Sequence, residues 1–270
     1  MSDKRIEPSV IVGIDGSPAA IHAAEWAADE AQARGVLLLM LAAIKPTHPS
    51  AEDYRRDVAH AEASLHAARL AVEAMGRPVK VETEIRRGSP GAMLVSESDH
   101  AEMICVGSVG ISRYSRALLG STATEVAEKA VCPVAVIRSR PDQPGPHINW
   151  IVVEVGDAPG RDTVIDQAMR EALLRELPVL AIGSTHADNA DNPAHKLENR
   201  LYPWRRWYPD VHIYPVTAGG GVTHFLKSND DLVPLVVIGS ADAGQLARIV
   251  GPHDHPVFRH VESSVLVVHE

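Results

Sequence analysis

Val106-Gly107-Ser108-Val109-Gly110-Ile111-Ser112-Arg113-Tyr114-Ser115-Arg116-Ala117-Leu118-Leu119-Gly120-Ser121-Thr122 is the stretch whose reading decides the fold. The apolar run Met103-Ile104-Cys105-Val106 before it reads as a short buried strand, and residues 122–130 after it read as a helix with Ala123, Val126, Ala127 and Ala130 on one side. A glycine-rich loop therefore joins a strand to a helix. Gly107 and Gly110 lack a Cβ, so backbone there can lie against a ligand. Gly120, Ser121 and Thr122 fall at the mouth of the helix, where unbonded N–H groups and the positive dipole end favour an anion. Two readings are open for the bare loop: a phosphate cradle, or a glycine-requiring turn followed by an ordinary Ser/Thr N-cap.

The same strand-to-helix unit recurs on both sides of this stretch. Val10–Ile14 is an apolar run that ends at Asp15-Gly16-Ser17-Pro18, which predicts a strand, a turn, and a helix capped by Ser17 with Pro18 at its first position. That helix carries Ile21, Ala24, Ala28 and Ala31 at helical spacing and stops at Gly35. Residues 36–44 are continuously apolar, as in a strand buried on both faces. Ser50 starts a second helix with Ala61, Leu65, Ala68, Val72 and Met75 on one stripe, Val79–Ile85 alternates as an edge strand does, and Ser89-Pro90 opens a third helix. Strand and helix alternate four times before a fifth strand, which predicts a parallel sheet with helices on both faces.

Residues 139–147 hold three prolines and a glycine and form the best boundary. Beyond them the pattern repeats. Pro159 falls 141 residues after Pro18, Leu235-Val-Val-Ile-Gly-Ser240 matches Met103-Ile-Cys-Val-Gly-Ser108, and residues 264–269 match 133–138. The chain reads as a tandem duplication with domains at 1–140 and 148–270, each an open five-stranded α/β unit. The halves differ where chemistry would occur. Gly156 stands for Asp15, although Asp157 lies next door, Asp242 for Gly110, and Gly251-Pro252-His253 for Gly120-Ser121-Thr122. Pro252 removes a backbone donor and Asp242 adds negative charge, so the second site is expected to be degenerate.

Gly107, two residues, Gly110, nine residues, Gly120-Ser121 resembles the nucleotide loop of the universal stress protein family, and the tandem arrangement resembles its mycobacterial members. Val10-Ile11-Val12-Gly13-Ile14-Asp15-Gly16-Ser17 looks like that family's first strand and acidic turn, and Cys132-Pro133-Val134-Ala135-Val136-Ile137 like its last strand. The resemblance implies two Rossmann-like domains of the adenine nucleotide alpha hydrolase type and one ATP, with Mg²⁺, per chain. It implies nucleotide contacts from Gly13, Asp15, Ala43, Gly107, Ser108, Val109, Gly110, Ile111, Ser112, Arg113, Gly120, Ser121 and Thr122. Asp15 would act through a metal ion or against the base and ribose, its plainer alternative being an Asx turn before the helix. Ala43 matches the position that meets adenine. A methyl at Gly107 or Gly110 is expected to weaken nucleotide binding and leave the fold intact. Association through the last strand is implied as well: residues 134–137 and 265–268 are expected to pair antiparallel, which leaves a homodimer and an unidentified protein partner to other surfaces.

Other features set limits. No Gly-x4-Gly-Lys-[Ser/Thr] loop supplies a lysine for phosphoryl transfer, which favours binding or slow hydrolysis over efficient turnover. Arg113 and Arg116 could reach phosphates, and Ser112, Ser115, Ser121 and Thr122 leave autophosphorylation open as an alternative, beside a nucleotide-free scaffold. The net charge of −9 argues against nucleic acid or an anionic membrane as partner. No run approaches the ~18 apolar residues of a membrane span, and the first residues lack an apolar signal core, so the expected location is the cytoplasm. Cys105 and Cys132 read as inert core residues. His253-Asp254-His255 reads as a polar loop rather than a metal site. Six of the chain's eleven aromatics lie between Tyr202 and Phe225. With Arg205 and Arg206 among them, this region is an amphipathic cover for the sheet, a partner surface or a nucleic-acid platform, and the acidic whole favours the cover.

Overall fold

The computed structural model describes residues 7–110, 119–138, 149–184, 192–219, 221–229, 233–250 and 263–269. The boundary segment at 139–147 lies outside them. The chain divides into two compact units, Met1–Ser139 and Arg140–Val268.

The first unit runs β1 (Ser9–Ile14), α1 (Pro18–Arg34), β2 (Leu37–Ile44), α2 (Ala51–Ala74), β3 (Val81–Arg87), α3 (Pro90–Glu97), β4 (Ala101–Gly107), α4 (Ser121–Lys129) and β5 (Val134–Ile137). Its strands are parallel in the order β3-β2-β1-β4-β5. The order reverses between β1 and β4. Right-handed crossovers on either side of that reversal put α1 and α2 on one face and α3 and α4 on the other, in keeping with the packing of α1 on α2 and α3 on α4.

Local signals explain the boundaries. Ser17 Oγ accepts from the Ala20 N–H at 3.2 Å, Pro18 occupies the first helical position, and Gly35 ends α1 in the left-handed conformation at φ 66°. Ser50 caps α2 by accepting from the Asp53 N–H. The buried stripe of α1 is almost wholly alanine, which lets the helix lie close to the sheet. Ile21, expected on that stripe, is only half-buried. β2 begins at Leu37 and leaves Leu37, Leu39 and Ala43 partly accessible, so the continuous apolar run does not mean burial on both faces. β3 lies at the sheet edge, as its alternation predicts, and carries Glu82, Glu84, Arg86 and Arg87 there.

The second unit runs β6 (Ile151–Val155), α5 (Arg161–Arg175), β7 (Val179–Ser184), α6 (Pro193–Trp207), β8 (Ile213–Ala218), α7 (Gly221–Asn229), β9 (Leu235–Gly239), a 3₁₀ turn at Ser240–Gln245, α8 (Leu246–Val250) and β10 (Ser264–Val268). Its strands are again parallel, in the order β10-β9-β6-β7-β8. Duplication is legible in the burial of the matched helices. Ala23, Ala24, Ala27, Ala28, Glu30 and Ala31 of α1 are buried, and so are Val164, Ile165, Ala168, Met169, Glu171 and Ala172 of α5, each 141 residues on. Pro159 does not repeat the role of Pro18, because α5 starts two residues later behind Gly160 in the left-handed region. The aromatic segment is the amphipathic cover: Leu197, Leu201 and Trp204 of α6 are buried, while Tyr202 and Trp207 are exposed.

Cys105 and Cys132 are both buried, and burial pushes the Cys132 thiol up to about 12. A thiol so raised stays protonated at neutral pH and is a poor nucleophile. Ellman's reagent should therefore find essentially no reactive thiol in the native protein and both after denaturation in guanidinium. Rapid native labelling of Cys132 would contradict this packing.

Candidate functional site

A cleft of about 670 Å³ opens at the carboxyl edge of the first unit's sheet, where the strand order reverses between β1 and β4. That volume is of the size that holds a small cofactor. Its walls come from the end of β1 (Gly13, Ile14, Asp15), from Leu41 and Ala43 of β2, from Pro90, Met93 and Leu94 of α3, from Val106–Gly110, and from residues 119–123 at the start of α4. Nine of the residues singled out in the sequence come together here: Gly13, Asp15, Ala43, Gly107, Val109, Gly110, Gly120, Ser121 and Thr122. Ser108 is buried beneath the wall; its N–H donates to the Ile137 carbonyl and its own carbonyl accepts from the Gly120 N–H, both at 2.8 Å. Ile111, Ser112, Arg113, Ser115 and Arg116 lie outside the described residues, as do Gly251, Pro252 and His253-Asp254-His255.

The Gly120–Ser108 hydrogen bond closes the glycine loop and aims the start of α4 into the cleft. Gly120 is the N-cap of α4, and no side chain caps it among the described residues. This departs from the plain reading of an ordinary Ser/Thr cap: Ser121 and Thr122 lie inside the first turn. The helix thus presents its positive end to the cleft. The neighbouring end of α3 is served differently, because the Glu125 carboxylate lies against Gly91 in its first turn. The opposite wall, with Leu41, Ala43, Met93 and Leu94, is apolar and suits a flat ring.

Asp15 makes the Asx turn considered for it and also lines the cleft. Oδ1 accepts from the Ser17 N–H at 2.9 Å, an Asx turn that leads into α1. Gly16 in that turn has φ 85°, which a side chain would strain. Oδ2 points over Gly110: a Cβ built there would lie 2.6 Å from it. Gly110 therefore makes room for the carboxylate. Gly107 does something else. A Cβ built there would meet the backbone C of Ala19 and N of Ala20, both at 2.8 Å. Its first task is the close packing of β4 on α1, which argues against the expectation that a methyl at Gly107 would leave the fold intact.

Sequence reading missed the apolar wall of α3. A signal was available: a helix opened by Ser89-Pro90 and followed by β4 must begin at the same sheet edge as the glycine loop. No group of three or more His, Cys, Asp or Glu able to hold a metal occurs among the described residues. A lone carboxylate does fit Mg²⁺ carried by phosphate oxygens, since that ion is commonly held by one or two carboxylates plus the phosphates themselves. No helix among the described residues is long and apolar enough to cross a membrane.

Residues 8–138 match the model of the universal stress protein family. Universal stress protein Rv2624c of Mycobacterium tuberculosis strain H37Rv is 56% identical over 260 residues, which cover 96% of both chains. The chain belongs to the universal stress protein family. A second relative in that organism, universal stress protein Rv3134c, is 40% identical over 261 residues, with 93% of this chain and 96% of the relative covered. Among solved structures, that of a universal stress protein from Archaeoglobus fulgidus matches with a TM-score of 0.72 at 17% identity, covering 98% of this chain and 97% of its own. At that identity it supports the fold alone, here of two tandem Rossmann-like units.

Proposed function

We propose that this universal stress protein binds one ATP in the first unit's cleft and acts as a nucleotide-dependent regulator in the stress response, by binding rather than turnover. The observation that carries this reading is the side-chain-uncapped start of α4 facing an apolar wall across the β1–β4 reversal. One end of the cleft suits phosphate and the other suits a base. In this reading the Ser121 and Thr122 N–H groups and hydroxyls meet phosphate oxygens. Ala43, Leu41 and Met93 enclose adenine, and Asp15 meets ribose or Mg²⁺. The magnesium ion, when bound, would offset phosphate charge beside Asp15.

Calorimetric titration with Mg-ATP should give one molecule per chain. Gly110→Ala pushes a methyl at Asp15 Oδ2 and should weaken binding by roughly tenfold or more, about 1.4 kcal/mol, with the melting temperature nearly unchanged. Mass spectrometry of ligand released from purified protein should recover an adenine nucleotide. No heat at millimolar ATP, with no nucleotide recovered, would sink the reading in favour of a scaffold. Stoichiometric ADP formation within hours would replace a regulator by an enzyme.

A further inference from the structure

The second unit holds the first unit's cleft positions with their chemistry exchanged. In the first unit Asp15, Gly110 and Ala20 all line the cleft. The repeat puts Gly156, Asp242 and Arg161 in their places. The matching burial of α1 and α5, with an ion pair on a buried glutamate present in both (Glu30 with Arg34, Glu171 with Arg175), fixes the register of Gly156 and Arg161; the strand ends Gly107 and Gly239, each three residues earlier, fix that of Asp242. The acid has moved from the strand end to the loop, and a cation has appeared on the helix facing it. Arg161 Nη1 donates to Asp242 Oδ2 at 3.2 Å. Asp242 Oδ1 accepts from Gln245 Nε2 at 3.1 Å, and Gln245 Oε1 accepts from Thr223 Oγ1 at 3.0 Å. These contacts tie the start of α5 through the 3₁₀ turn to α7. The Arg161 and Asp242 side chains are only 15% and 22% exposed. Two charged side chains, hydrogen-bonded to each other, thus stand where the first unit has a methyl and a hydrogen.

We propose that the Arg161–Asp242 ion pair is an internal plug that fills the second unit's counterpart of the cleft and keeps an adenine nucleotide out of it. The plug takes the first unit's ATP cleft as its pattern and so rests on that reading. Asp242 excludes a phosphate by charge and by volume. It also engages the Arg161 guanidinium, which would otherwise offer a phosphate a two-pronged donor. Removing Asp242 should therefore both open space and release that donor.

The test is fluorescence titration of the full chain with mant-ATP. Asp242→Gly should raise the stoichiometry from one to two molecules per chain. The exchanged variant Arg161→Asp/Asp242→Arg, which keeps the pair, should stay at one. Wild-type protein that takes two, a natively folded Asp242→Gly that takes no more than wild type, or an exchanged variant that takes two would each overturn the plug. If Asp242→Gly loses its native circular dichroism, Asp242→Ala, which removes the charge and most of the volume, stands in with the same expected gain. If wild-type protein takes none, the reading of the first unit has failed. A gain of one by Asp242→Gly would then still support the plug, and no gain would overturn it.

Discussion

Glu171→Ala is expected to destabilise the second unit by about 3–5 kcal/mol, the cost of removing one partner from a buried ion pair. Glu171 is 1% exposed within α5. Its Oε1 accepts from Gln167 Nε2 and its Oε2 from Arg175 Nε, each at 3.0 Å. Alanine would take the acceptor away from the buried Gln167 Nε2 and the half-buried Arg175 Nε and leave a cavity beside them. Glu171→Gln should cost less, because an amide oxygen can still accept one of the two hydrogen bonds. Urea unfolding followed by tryptophan fluorescence suits the measurement, since Trp150, Trp204 and Trp207 report on the second unit and Trp26 alone on the first. A loss below ~1 kcal/mol, the scale of an exposed pair, would mean that the pair is in practice solvated.

The elements were legible where a residue type has one physical use. Ser17-Pro18 and Ser50 start helices because a hydroxyl can accept a first-turn N–H, and Gly35 ends one because only glycine takes φ 66° without strain. The site was legible where spacing and topology coincide: Asp15 and Gly110 are 95 residues apart, yet adjacent strands carry both to one edge. What was not legible depends on pairs distant in sequence. The Asp242 charge could be read, but not the Arg161 that neutralises it, because nothing across a separation of 81 positions shows which side chains will meet. Pro159 is a similar case. Its register with Pro18 is correct, but Gly160 delays the helix, and a repeat offset carries no information about backbone conformation.

Gly107 separates a ligand-facing glycine from a packing one, and Gly107→Ala should unfold the first unit more readily rather than merely weaken binding. The added methyl would meet Ala19 C, Ala20 N and Ala19 Cβ at 2.8, 2.8 and 2.9 Å. Two of these are backbone atoms at the start of α1, which cannot rotate away as a side-chain tip can. Relief requires α1 to withdraw from β4, against the alanine stripe that packs it on the sheet. Overpacking of this kind costs about 1–3 kcal/mol. Ala20 and Gly107 also line the cleft, so ATP affinity should fall together with stability. The matched glycine of the second unit provides the control. A Cβ at Gly239 would meet only Val164 Cγ2, at 3.4 Å, an ordinary contact with a side chain, and Gly239→Ala should cost less than ~0.5 kcal/mol, as substitutions that meet no obstruction do. Thermal unfolding of the two single variants decides the matter. Equal losses for Gly107→Ala and Gly239→Ala, or an unchanged melting temperature for Gly107→Ala, would show that α1 yields to the methyl and that Gly107 serves the ligand alone.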